Sequence, residues 1–155
     1  MSRYIRPRVP GATVFFTLCL ADRRSDALVS HVDTLREAVR QTRRERPFVI
    51  DAWVVLPDHL HCVWSLPECD ADYSTRWSVI KARFSRAMPH EPRRPSHVRR
   101  REHGLWQRRF WEHHLRTPDD RAAAMAYCWA NPVKHGLAGS PGEWPWSSWH
   151  RDNPP

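Results

Sequence analysis

Apolar and polar positions follow two rhythms along this chain. Ala12 to Leu20 reads ATVFFTLCL, a β-branched and aromatic run that predicts a strand. After a polar break at Asp22 to Asp26, Val32, Leu35, Ala38 and Val39 recur at helical spacing. They predict an amphipathic helix over His31 to Arg46 that Pro47 ends. Apolar runs at 48–56 and 59–66 flank Pro57 and Asp58, which reads as a hairpin. An acidic loop, Pro67 to Asp72, leads to Tyr73 to Met88, where Trp77, Ile80 and Phe84 mark a second helix with a basic outer face. Pro89 to Arg101 is a loop of Pro, Arg and His, and Gly104 to Arg116 reads as strand. Thr117 caps a last helix, with Pro118 in the first position and Asp119 and Asp120 in the first turn. That helix is expected to reach about Ala130, with Asn131-Pro132 as its stop or, as the alternative, a kink through which it continues. The end of the chain holds Trp144, Trp146 and Trp149 among Pro and Ser, too broken for a long element.

The order β-α-β-β-α-β-α predicts an α+β fold. It is a ferredoxin-like βαββαβ sandwich, with helices on one face of an antiparallel sheet and an additional C-terminal helix. At 155 residues the chain suits one domain, with a core over about 12–138 and a tail over 139–155. Met1 to Arg8 is basic but lacks the features of a signal peptide, and no apolar run approaches the ~20 residues of a membrane helix. Cys19, Cys62, Cys69 and Cys128 form no C-x-x-C pair, so reduced thiols and a cytoplasmic location are expected, with no membrane partner and no small-molecule cofactor.

Charge changes the picture. The formal net charge is +8. Residues 81–109 hold ten basic side chains (Lys81, Arg83, Arg86, Arg93, Arg94, Arg99, Arg100, Arg101, Arg108, Arg109) against Glu91 and Glu102, so the whole excess sits there. A charge so localised is a footprint for a polyanion, nucleic acid before any other. Trp106 and Trp111 lie among these arginines, a mixture of charge and planar rings that suits unpaired bases.

The candidate chemistry centres on His59-Leu60-His61. On a strand the two imidazoles share a face, roughly 6–7 Å apart along it, and can reach one metal ion. With 10 His in the chain, one such pair is near what chance supplies, so other residues must carry the site. A zinc site that adds Cys62 and Cys69 is disfavoured because Cys62 points to the other face. Asp58 suits a turn and could also orient an imidazole. Tyr127 and Asn131 are one helical turn apart, so a phenol and an amide oxygen can face the same place. Each also has an ordinary structural reading, a core tyrosine and a helix-end residue.

Together, LPDHLHCVWSLP, DADYSTRW with IKARFSR, LWQRRFWEHHLR, and YCWANPVKHGL with WPWSSW resemble the REP-associated tyrosine transposases, a bacterial branch of the single-tyrosine HUH transposases. The resemblance spans roughly residues 12 to 149. It implies a ferredoxin-like fold and single-strand DNA cleavage and joining. By that resemblance His59 and His61 match the metal-binding pair, Tyr127 the nucleophile and Asn131 an amide-type third ligand. Cys128 and Trp129 depart from a commoner apolar-His pair, which leaves the nucleophile in place. A divalent ion, Mg²⁺ or Mn²⁺, is implied: two nitrogen ligands favour Mn²⁺, cellular abundance Mg²⁺. REP-type hairpin or single-stranded DNA is the implied partner, held by the ten basic residues above and Lys134, and a monomer is implied before a dimer. The alternatives are a hairpin-binding protein without cleavage and a metal-dependent nuclease that uses water as nucleophile.

Overall fold

The structure, a computed structural model, describes residues 4–89 and 104–155. Arg93, Arg94, Arg99, Arg100 and Arg101 lie outside the described residues. The elements are β1 (Thr13–Cys19), α1 (Ala27–Ser30), α2 (Val32–Glu45), β2 (Val49–Val55), β3 (His59–Ser65), α3 (Tyr73–Ala87), β4 (Trp111–Leu115) and α4 (Pro118–Lys134). A 3-10 turn at Pro141–Glu143 and a one-turn helix α5 (Trp149–Asp152) follow. The strands form one antiparallel sheet in the order β2-β3-β1-β4. This is the ferredoxin-like α+β arrangement that the element order predicts.

Strand alternation sorts the side chains onto two faces. Val14, Phe16 and Leu18 of β1 and Leu60, Cys62 and Trp64 of β3 join Leu35, Val39, Trp77, Ile80 and Phe84 of α2 and α3 in the main core. On the other face Ala52, Val54 and Val63 pack against Cys128 of α4 and Trp144 of the tail. A bulge between Ile50 and Ala52 shifts the β2–β3 register. It brings Asp51 beside Ser65, whose hydroxyl donates to it at 2.6 Å, and into an ion pair with Arg121 of α4. The last helix is thereby tied to the sheet by charge as well as by apolar packing.

Several elements differ from expectation. The expected strand over 104–116 is regular only at Trp111–Leu115. Upstream, Leu105 accepts from Ala21 N and Gln107 N donates to Cys19, with Trp106 bridging Leu20, and the chain then leaves the ladder before β4. The polar break leads into the one-turn α1, whose Leu28 is buried. The face of α3 is not uniformly basic outward, because Arg76 is buried. It forms a bidentate pair with Asp70 at 3.0 and 2.9 Å and donates to the carbonyls of Arg46, Pro47 and Asp72.

The largest correction concerns α4, which does not stop at Asn131-Pro132 but continues to Lys134. Pro132 gives up one helical hydrogen bond. Asn131 and Pro132 are both buried, so packing of this turn outweighs that loss. The start is as expected, with Thr117 accepting from Asp120 N at 3.1 Å. The end is a Schellman closure: Gly136 (φ +70°) donates to Val133 and Leu137 donates to Pro132 at 2.8 Å.

The tail covers the β2 edge. Val55 N donates to Trp146 O, Ser148 N donates to Trp53 O, and Trp144 Nε1 donates to Val55 O at 2.8 Å. An edge strand covered in this way is closed to pairing with other chains.

Candidate active site

His59 and His61 face α4 from β3, buried, with ring centroids 5.0 Å apart at 84°. Antiparallel pairing explains their surroundings: Cys19 and Thr17 of β1 are their cross-strand partners. Thr17 Oγ1 lies 2.8 Å from His61 Nδ1, and Asp58 Oδ1 lies 2.7 Å from His59 Nδ1. Each ring is therefore held through Nδ1, which leaves Nε2 for another partner. Asp58 serves both the turn and the histidine, and Arg23 Nε donates to its other oxygen at 2.6 Å.

Continuation of α4 past Ala130 brings the second half of the site to the first. The Tyr127 ring meets His61 edge-on at 5.4 Å and Phe15 edge-on at 5.7 Å, while 41% of the residue stays exposed. Lys134, two turns on, donates from Nζ to the Tyr127 hydroxyl at 3.3 Å. Asn131 is almost fully buried, and its Nδ2 donates to Tyr127 O at 2.6 Å. A carbonyl can only accept, so this bond fixes the amide's orientation. Asn131 Oδ1 is left buried with no partner among the described residues. An orphan acceptor of this kind is costly in a fold unless something else uses it.

Burial sets the charge state of the two imidazoles. Burial pushes the His61 imidazole down to about 3, helped by the neighbouring His59, His135 and Lys134. Burial also lowers His59, against the pull of Asp58. Burial alone would raise the Asp58 carboxyl, but hydrogen bonds from Arg23 and His59 outweigh it and hold the group below its usual range. Both imidazoles are thus neutral near pH 7, the form that ligates metals. Two imidazole nitrogens and one amide oxygen suit a divalent ion with open positions. Among the described residues no three His, Cys, Asp or Glu side chains group to hold one, so the third donor would be the amide.

The structure gathers His59, His61, Tyr127, Asn131 and Lys134, and sets the cations of α3 apart from them. Lys81 donates to Gln107 O at 3.0 Å, and Arg83 pairs with Glu45 and donates to Thr42. Both belong to α3, across the sheet from Tyr127, as does the exposed Arg86. Arg108 and Arg109 are exposed in the segment before β4. Trp106 is buried on Phe84, whereas Trp111 is exposed. Cys62 faces the opposite core, and Cys69 is an exposed free thiol.

Sequence reading missed Thr17 and Arg23, whereas His135, just past Asn131 in sequence, puts its ring 5.0 Å from the His59 ring. Thr17 had little signal: it is one more β-branched strand residue, on the same face as Phe15. Arg23 had none, because a turn arginine is ordinary.

No protein-family model matches the chain. A REP-associated tyrosine transposase of Escherichia coli strain K12 is 43% identical over 152 residues, covering 98% of this chain and 85% of the relative. A Haemophilus influenzae relative of the same family name is 42% identical over 154 residues, covering 98% and 88%. A solved REP-associated tyrosine transposase bound to a REP hairpin superimposes with a TM-score of 0.84 at 43% identity, over 98% of this chain and 85% of that one. With nearly its whole length aligned at this identity, the chain belongs to the REP-associated tyrosine transposases.

Proposed function

We propose that this protein is a metal-dependent single-strand DNA endonuclease and strand transferase that binds REP-type hairpins and cleaves through a 5′-phosphotyrosine at Tyr127. The observation that carries the reading is the meeting of an exposed phenol with two buried neutral imidazoles and an orphaned amide oxygen at one place. Such a place has a nucleophile, a donor set for a cation, and an opening to solvent through which a strand can enter. Four free thiols support a reducing cytoplasmic setting, and among the described residues no helix is long and apolar enough to cross a membrane.

His59 and His61, through Nε2, and Asn131, through Oδ1, would hold the ion. Mg²⁺ or Mn²⁺ bound there supplies Lewis acidity toward a phosphate oxygen. The residues of the chain do the rest. Thr17 and Asp58 keep the imidazoles turned through their Nδ1 contacts. Asn131 pins its own turn of α4 to the Tyr127 carbonyl, which fixes where the phenol emerges. The Tyr127 hydroxyl loses its proton to solvent, and its oxygen bonds to phosphorus. The P–O3′ bond breaks and leaves a free 3′-hydroxyl. Lys134 sets a positive charge at the hydroxyl where the phosphate arrives. The covalent bond conserves the cleaved phosphodiester, so a new strand end can be joined without ATP. A monomer carries the full set, because His59, His61, Tyr127 and Asn131 meet within one chain. Arg108, Arg109 and Lys134, with the arginines of 93–101, would hold the DNA backbone, which makes binding steeply salt-dependent.

The test is incubation with Mg²⁺ or Mn²⁺ and an oligonucleotide carrying the imperfect hairpin found beside the gene, read by denaturing gel and mass spectrometry. A covalent adduct at Tyr127, absent in Tyr127→Phe while binding persists, is the expected result. Cleavage that survives Tyr127→Phe means a water nucleophile, and tight binding without cleavage under either metal means a hairpin-binding protein.

A further inference from the structure

Among the chain's nine tryptophans, one stands out by exposure. Eight are buried or half-buried, in the core or against the covered β2 edge. Trp111 is 65% exposed, the largest exposed ring of the described residues. An indole in water does nothing for the fold, and its neighbour in sequence, Trp106, follows the usual rule by packing on Phe84.

Register decides where Trp111 points. It opposes Thr17 on β1, and Thr17 opposes His61 on β3. Directly opposed residues share a face, so Trp111, Thr17 and His61 form one row across the sheet. Neighbouring strands are about 4.8 Å apart, which puts the Trp111 backbone about 10 Å from that of His61. Helix α4 packs on Ala52, Val54 and Val63 of β2 and β3 and reaches Phe15 of β1 and Leu115 of β4. Trp111 stands at the other end of β4 from Leu115 and is left open.

Charge favours a polyanion there. Arg108 and Arg109 precede Trp111, and Lys134 sits at the Tyr127 hydroxyl. The one carboxylate of β4, Glu112, is turned away, buried in an ion pair with Arg6.

From this row we infer that Trp111 is a stacking platform for one unpaired base of the DNA strand whose phosphate lies at Tyr127. The inference rests on the single-strand DNA reading above and adds which base-binding surface the strand uses. A platform two strands from the metal-ligating His61 takes a base within a nucleotide or two of the cleaved bond. Because every base presents a π-face, it sets where the strand lies more than which sequence is read.

The test compares wild type, Trp111→Ala and Trp111→Phe, without divalent metal, in binding two oligonucleotides. One is the imperfect hairpin beside the gene with a single-stranded flank, and the other is the same hairpin without the flank. Each flank nucleotide is then made abasic in turn. Stacking on an aromatic ring is worth about 1–3 kcal/mol per base, so Trp111→Ala is expected to weaken binding of the flanked hairpin about 5- to 150-fold. Trp111→Phe retains most of the affinity, and binding of the unflanked hairpin and the melting temperature stay as in wild type. At one flank position the abasic change costs wild type a similar factor and costs Trp111→Ala nothing.

The inference is overturned if Trp111→Ala binds the flanked hairpin like wild type, or loses as much on the unflanked one, or if every abasic position affects both proteins alike. Failure of the underlying reading looks different. Wild type that binds the flanked hairpin but never forms an adduct sinks cleavage and leaves the platform standing, and wild type that binds neither oligonucleotide sinks both.

Discussion

The two faces of the sheet share four strands and differ in almost everything else. Toward α2 and α3, Phe16, Trp64, Trp77 and Phe84 are fully buried, with Trp64 and Trp77 stacked at 4.2 Å and 18°. Toward α4, the same strands present His59, His61, Thr17 and Phe15 beside a half-exposed tyrosine. One face is apolar throughout; the other packs α4 over Ala52, Val54 and Val63 and keeps only the row around His61 polar and partly open. Residues next to each other on β3 should therefore fail in different ways when changed.

The sharpest contrast is His61 against Trp64. His61→Ala is expected to reduce the single-turnover rate of adduct formation on the order of a thousandfold, the several kcal/mol that a bound metal supplies at a reacting phosphate. Its thermal unfolding temperature should fall by less than that of Trp64→Ala, because the smaller ring gives up a stack on Phe15 at 5.6 Å and an edge contact to Tyr127 at 5.4 Å. Near-wild-type cleavage would remove His61 from the site. Trp64→Ala removes a fully buried indole packed against Phe48 at 4.0 Å and Phe16 at 4.9 Å. It should lower unfolding free energy by about 3–5 kcal/mol in denaturant titration, while the folded fraction cleaves at the wild-type rate. A Trp64 variant that stays stable yet loses cleavage would erase the division between the faces.

This division explains what was legible in the sequence. The β-branched and aromatic run of β1 and the apolar runs flanking Pro57 and Asp58 record two covered faces, so the strands, the hairpin and the shared face of His59 and His61 could be read in advance. The start of α4 was equally legible, since Thr117, Pro118 and two acids are local chemistry. Its end was not. Pro132 is a stop by local rules, and only the burial of Asn131 and Pro132 against the rest of the molecule carries the helix to Lys134. Thr17 and Arg23 escaped for the same reason, because their roles arise from neighbours 44 and 35 residues away. Exposure separated Trp111 from Trp106, although composition treats them alike.

Acid should also distinguish the faces, with a smaller effect. Burial holds His61 near 3 in the folded protein, whereas an unfolded histidine titrates near its ordinary value of 6.5. Below about pH 6.5 the unfolded chain takes up a proton that the folded chain refuses, so stability is full above that pH and declines as pH falls toward 3. In metal-free protein the loss from this residue is on the order of a few kcal/mol across that window. Urea titrations at a series of pH values would measure it. His61→Gln should flatten the curve, whereas Trp64→Phe should shift the whole curve and leave its shape unchanged. An unchanged slope in His61→Gln would place the acid sensitivity elsewhere.

The smallest expected effect tests whether the wet face is organised beyond its first layer. The Thr17 hydroxyl lies 2.8 Å from His61 Nδ1. Thr17→Val keeps the β-branched shape that suits β1 and removes only that contact. A ring held through Nδ1 presents Nε2 in one direction, and losing such a partner typically costs 10–100-fold in metal affinity, so Mn²⁺ binding by calorimetry should weaken by about tenfold. Stability should fall by about 1 kcal/mol, the net worth of one hydrogen bond. Saturating Mn²⁺ should restore most of the cleavage rate in Thr17→Val and none in His61→Ala, because the first loses orientation and the second loses the ligand. If the Thr17 variant binds Mn²⁺ like wild type, the His61 ring is oriented by packing against Phe15, which stacks on it at 5.6 Å, and the hydroxyl is incidental.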